Sequence, residues 1–297
     1  MATQGRNGKI KGKINNIVYR GYRDKQVLQI APARVRQTYA TKLNALEFGL
    51  ASTQAKMLRR VLCNFFEEYD GKMPVRLTAA VAECIRTSTK EIGERTLHDA
   101  DLSPLKGFQF NLDSRIERLI RVRPSVEIAP NGRIQFSIPK FNVMKDINYP
   151  TEPPRFNPHF SILVTAFNFF NESVHIIDHV TFDFVNENQE VEINWNCSRQ
   201  LPKGSFVLLT LALNYVAMNW VGQRTVTKSK AFFPSIVVEA FQVTDEMADK
   251  GVADNLEPPK QVRSFGDRFH EHLKKIARFK EKFNQKERQP IMAILKG

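Results

Sequence analysis

The chain has 297 residues, 42% hydrophobic and 25% charged, with a formal net charge of +13, which excludes wholesale disorder and leaves room for a sizeable core. The charge is segregated. Residues 1–60 hold 13 Lys or Arg against Asp24 and Glu47, and residues 260–297 hold 11 against Asp267, Glu271, Glu281 and Glu287; taking +11 and +7 from the total leaves −5 for the middle, so polyanions or acidic partners are expected at the ends.

The opening stretch GRNGKIKGKINNIVYRGYRDKQVLQIAP spaces Gly5, Gly8, Gly12 and Gly21 between short apolar runs, the texture of hairpins. Two short strands are expected, Ile10 to Tyr19 and Gln26 to Ile30, in a ribbon that needs something to pack on. From Thr38 the period becomes helical: Leu43, Leu46, Leu50, Met57, Leu58, Val61, Leu62 and Phe65 predict a long amphipathic helix running toward Asp70-Gly71. Pro74 suits the first turn of a second helix, with Leu77, Val81, Cys84 and Ile85 on one face.

After Ser103-Pro104 the pattern alternates. The clearest hairpin is Val126 and Ile128, then Pro130-Asn131-Gly132, then Ile134, Phe136 and Ile138. Further strands are expected at Phe108–Leu112, 160–170, 174–184, 191–195, 206–215 and 236–243. Val207, Leu209, Leu211, Leu213 and Tyr215 line one face of the 206–215 strand. With no helical pattern between them, these strands predict an antiparallel sandwich. A last amphipathic helix is expected from about Phe265 to Gln285, with Pro290 beyond its end.

The predicted class is therefore α+β. A basic Gly-rich arm covers 1–36, a helical region 37–106, an antiparallel β-sandwich 107–245, and a linker with a basic amphipathic helix 246–297.

In the arm, Arg6, Lys9, Lys11, Lys13, Arg20, Arg23 and Lys25, with Arg34 and Arg36 at its root, are the candidate nucleic-acid contacts, because a Gly-rich backbone carrying cations can follow a phosphate backbone closely. A solvated extension, or one lying on an acidic neighbour, accounts for the same residues. Tyr19 and Tyr22 beside Arg20 allow base stacking or a packed hairpin face. The weighting of aromatics toward Phe, 22 against 2 Trp and 6 Tyr, suits a dry core. In the last helix, Phe269, Leu273, Ile276, Phe279 and Phe283 form the candidate partner-binding stripe, serving the chain's own body or another subunit. The glutamates along it argue against a membrane surface.

No metal site and no cofactor are expected. His175 and His179 share a face of a regular strand but stand about 13 Å apart, and Asp178 points away. The glycines of GRNGKIKG lack the strand-turn-helix setting of a dinucleotide site. Thr87-Ser88-Thr89-Lys90 has the wrong spacing for a nucleophile, and no Walker, zincin or kinase motif occurs, so a non-enzymatic protein is expected. Cys63, Cys84 and Cys197 are odd in number and far apart, which suits a reducing compartment. With no apolar stretch of signal length near the start, a cytoplasmic location is expected.

The order Gly8, Gly12, Lys13-Ile14, Val18, Gly21 and Ala31-Pro32, then a long helix and a β-rich region with SIPKFN at Ser137 to Asn142, resembles an uncharacterised bacterial family with a Gly-rich basic opening and a β-rich remainder. The likeness spans most of residues 1–245 and implies an architecture, with no activity and no site. The functional expectation is a binding or assembly protein whose basic termini contact nucleic acid or a nucleoprotein particle. The alternative is a structural subunit of a homo-oligomer of phage origin.

Overall fold

A computed structural model describes residues 2–5, 8–22, 25–31, 37–66, 68–151, 154–218, 221–264, 266 and 268–294, and side chains of the last helix as far as residue 283. It is an α+β protein that divides into two compact units, Met1–Lys42 and Leu43–Gly297.

The first unit holds four short antiparallel strands in sequence order: β1 (Thr3–Gln4), β2 (Ile10–Ile14), β3 (Ile17–Tyr22) and β4 (Lys25–Ile30). The stretch Ile10 to Tyr19, expected as one strand, is a hairpin. Asn15 sits at φ 49, the left-handed conformation that Asn tolerates in a two-residue turn, and Ile14 pairs directly with Ile17. None of the described strand residues here is buried.

The second unit opens with the body of α1 (Tyr39–Leu62), which ends sooner than its apolar period suggests. Residues 63–65 leave it in turns, and Asp70 then starts the approach to α2 (Met73–Thr87) by accepting from the Lys72 N–H at 2.8 Å. Pro74 lies in the first turn of α2, as expected. After the short helix α3 (Ile116–Leu119), the strands β5 (Ser125–Ile128) and β6 (Ile134–Asn142) flank the Pro130-Asn131-Gly132 turn, where Gly132 has φ 79. A one-turn α4 (Val143–Asp146) follows. Then come β7 (Asn157–Asn168), β8 (Ser173–Asp183), β9 (Glu190–Cys197), β10 (Phe206–Met218), β11 (Arg224–Val226) and β12 (Ser235–Gln242). Helix α5 (Asp245–Ala253), strand β13 (Gln261–Ser264) and helix α6 (Arg268–Ile294) complete the chain.

Two antiparallel sheets face each other. One is β5-β6-β9; the other runs β13-β8-β7-β10, with β12 and β11 both pairing the far edge of β10. Their inner faces share one core, in which Phe136, Ile138 and Ile193 meet Ile162, Val164, Val207, Leu209, Leu211, Leu213 and Tyr215. The face read from the alternation of residues 207–215 is therefore the one turned to the β5-β6-β9 sheet. The other face of the larger sheet is also covered. Phe167 stacks on its cross-strand partner Phe206 with centroids 5.6 Å apart, Phe169 stacks on Phe269 of α6 at 5.5 Å, and Phe65 meets His179 edge-on at 5.6 Å. This double burial explains why β7 and β10 read as nearly continuous apolar runs.

Three expectations are corrected. Phe108–Leu112 is no strand: it makes one bridge, Gln109 to Ile236, and a few backbone bonds along β12. Helix α6 continues past Pro290 to Ile294. And β8 carries a bulge at Ile177, since Asp178 pairs with Val164 while Ile176 pairs with Thr165. The extra residue resets the alternation, so His175, opposite Ala166, and His179, opposite Leu163, fall on opposite faces. Among the described residues no helix is long and apolar enough to cross a membrane.

Candidate nucleic-acid interface

Register decides what the N-terminal sheet presents. Directly paired residues of an antiparallel sheet point to the same side, and neighbours along a strand to opposite sides. The pairs Gly12–Tyr19, Ile14–Ile17, Tyr19–Leu28 and Ile17–Ile30 therefore gather Ile14, Ile17, Tyr19, Leu28 and Ile30 on one face. The pairs Lys13–Val18, Arg20–Val27 and Tyr22–Lys25 put Lys13, Arg20 and Lys25 on the reverse, with Val18, Tyr22 and Val27 between them. Lys13 to Arg20 and Arg20 to Lys25 are both diagonal neighbours, about 7–8 Å apart. The cations thus form an oblique row across three strands.

No carboxylate opposes this row among the described residues of the unit, since Asp24 is the one acidic residue before Glu47 and lies outside them. Tyr22, on the cationic face, is 63% exposed. On the apolar face Leu28 is 57% and Ile30 75% exposed.

Of the remaining expected contacts, Lys11 lies in β2, across Gly12 at φ 117, and its stem passes 3.9 Å from where a Gly21 side chain would start. Lys9 sits just before β2, its carbonyl accepting from the Gly5 N–H at 2.9 Å. Arg6, Arg23, Arg34 and Arg36 lie outside the described residues. The two-faced character was present in the sequence as the alternation of residues 12–14, 17–22 and 25–30. It required the register to see that the cations of three strands coincide.

The candidate partner-binding stripe of α6 goes largely into the chain's own fold. Phe269 is fully buried against Phe169 and Phe170, Ile276 is buried, and Leu273, Phe279 and Phe283 are half-buried. His270 approaches the Phe170 carbonyl at 2.9 Å, and Lys280 pairs with Glu94 at 2.8 Å. Docking on the chain's own body, one of the two outcomes expected for this stripe, accounts for Phe269 and Ile276.

Elsewhere the titratable groups are held by structure. Burial pushes the Cys63 thiol up to about 11 and those of Cys84 and Cys197 up to about 12, keeping all three protonated at neutral pH. His179 Nε2 lies 2.9 Å from Ser161 Oγ, and burial lowers its pKa. Asp178 is ringed by Arg199, whose Nε is 3.5 Å away, and by Lys260, which ties the segment before β13 to β8. Among the described residues no group of three His, Cys, Asp or Glu side chains is placed to hold a metal ion.

No family model, curated protein or solved structure matches the chain. The resemblance drawn from the Gly8 to Pro32 pattern rests on those residues alone.

Proposed function

We propose that the chain is a non-enzymatic nucleic-acid-binding protein whose N-terminal sheet lies against the phosphate backbone, with the sandwich as its scaffold. One observation supports this above the others: the register aligns Lys13, Arg20 and Lys25 on a single face with no described carboxylate beside them. Contacts of this kind go to phosphates, giving affinity with little base discrimination. Lys9 and Lys11 would extend the row, and Arg6, Arg23, Arg34 and Arg36 flank it in sequence. The unpaired cysteines fit a cytoplasmic setting. The test is binding of the full-length chain to labelled DNA and RNA of mixed sequence at rising salt. Log K falling with log salt at a slope of about −3 or steeper, lost when residues 1–36 are removed, supports the reading. Binding insensitive to salt, or retained without residues 1–36, overturns it.

The apolar face supports a second reading, a structural subunit of a homo-oligomer in which Ile14, Ile17, Tyr19, Leu28 and Ile30 are covered by a neighbouring copy. Here removal of residues 1–36 lowers the oligomer mass, whether or not nucleic acid is retained.

A further inference from the structure

Independently of the N-terminal sheet, a cleft of about 590 Å³ opens between α3, the segment after it, and β12. Its existence follows from where the cover of β12 stops. The Gly107 N–H donates to the Val237 carbonyl at 2.8 Å and the Val237 N–H to the Phe108 carbonyl at 3.0 Å, so the 107–110 segment shields the strand edge only that far. Gly107, at φ 80, then turns the chain away, and a side chain built there would meet nothing within 4 Å. Immediately beyond, β12 bulges at Val238, since Val237 pairs with Thr210 and Glu239 with Leu209. Bulges of edge strands are common beside binding sites.

The cleft is apolar at its base and cationic on one wall. Ile116, Ile120 and Ile236 are buried and, with half-buried Val238, form the apolar part of the lining, while Val237 borders it through its backbone and turns its side chain to the other face of the sheet. Two of the charged groups around it are already partnered: Lys106 by Glu239, with Nζ 2.5 Å from the carboxylate, and Glu117, which keeps its negative charge, by the neutral Gln109 amide at 2.7 and 2.9 Å. Arg121 and Arg123 are not. They are exposed and two residues apart in the bent segment between α3 and β5, with half-buried Val122 between them, and among the described residues neither guanidinium has an ion pair or hydrogen bond. The lining therefore carries two guanidinium groups without ion pairs against the single Glu117 carboxylate, beside an apolar floor, in a volume of the size that small-molecule sites have.

We propose that this cleft binds an amphipathic anion, an apolar chain lying on Ile116, Ile120, Ile236 and Val238 with a carboxylate head held by Arg121 and Arg123. A guanidinium pairs with a carboxylate through two parallel N–H donors, and an aliphatic tail gains from leaving water. The acid of twelve carbons, dodecanoate, is the probe, titrated calorimetrically into the full-length chain below its micellar concentration. One saturable site is expected, weakening about fourfold for each methylene removed toward octanoate. Dodecyltrimethylammonium, with the same tail and the opposite charge, gives no site. The double variant Arg121→Glu, Arg123→Glu, at exposed positions, lowers dodecanoate affinity about tenfold or more. It leaves the N-terminal cations intact, so any binding by that sheet stays visible separately. The proposal is overturned by the absence of a saturable site, by equal binding of the cationic amphiphile, or by affinity unchanged in the double variant.

Discussion

A Cβ on Gly93 would stand 2.9 Å from Ile276 Cγ2 and equally close to Leu43 Cδ1, so α1, α6 and the turn after α2 meet where there is room for a hydrogen and no more. The same glycine donates its N–H to buried Glu47 at 2.8 Å and adopts φ 88. Gly93→Ala combines a left-handed backbone penalty with overpacking, for an expected loss of about 2–4 kcal/mol. Urea denaturation at neutral pH measures it; a loss below about 0.5 kcal/mol would show that the three elements yield at this point.

Asp70 and Arg76 fasten the start of α2 to the following loop. Arg76 reaches the Gln109 carbonyl at 2.8 Å, while Asp70 accepts from the Leu112 N–H at 3.1 Å and pairs with Arg76. Burial alone would raise the Asp70 carboxyl, but the Leu112, Arg76 and Lys72 donors outweigh it and hold its pKa below the usual value. The stability this pairing contributes is therefore present above the unfolded pKa of about 4 and lost as pH falls through the lower folded one. Asp70→Asn is expected to cost about 2 kcal/mol at pH 7, with the difference from the parent shrinking below pH 4. A constant difference across that range would contradict the linkage.

His98 acts at higher pH. Its Nε2 accepts from the Phe169 N–H at 2.9 Å, and its ring lies among Phe169, Phe170 and Phe206. Burial is the main cause of a pKa lowered to about 4, only partly opposed by Asp99. A base that is harder to protonate when folded destabilises the fold as pH drops from about 6.5 to 4, because the unfolded chain takes up the proton first. The loss over that window is about 3 kcal/mol at most. His175, His179 and His272 are shifted the same way. His98→Asn should be less stable at pH 7 and decline less steeply on acidification, as followed by thermal melts at each pH.

The cationic row makes a quantitative demand. Replacing Lys13, Arg20 and Lys25 together by Ala should flatten the salt slope of nucleic-acid binding by about 2 to 3. Ile17→Ser, on the reverse face, should leave the slope alone. Equal effects from both variants would mean that the faces are not functionally distinct.

The elements legible from the sequence were those with a strong local signal: the helical period of residues 43–62, Pro74 in a first turn, the Pro130-Asn131-Gly132 hairpin, and the alternation of residues 207–215. What escaped was set by tertiary contacts. The bulge at Ile177 leaves no mark in composition, yet it moves His175 and His179 to opposite faces. Residues 108–112 alternate like a strand, but their β pairing is confined to the first residues of β12, and Asp70 and Arg76 hold the rest. Gly49, which the helical period passes over, makes room for α6, since His272 Nε2 would lie 2.5 Å from a Cβ there. Likewise the cations of the arm could be counted in advance, but their shared side depends on cross-strand pairing.

That sheet has two sides with opposite responses to ionic strength. On the proposed function, added salt should screen Lys13, Arg20 and Lys25 and weaken their attraction for a polyanion, while the same screening should lower the repulsion between two such ribbons meeting through Ile14, Ile17, Leu28 and Ile30. Release of a bound polymer and self-association should therefore rise together as a buffer is concentrated, with no change in protein level.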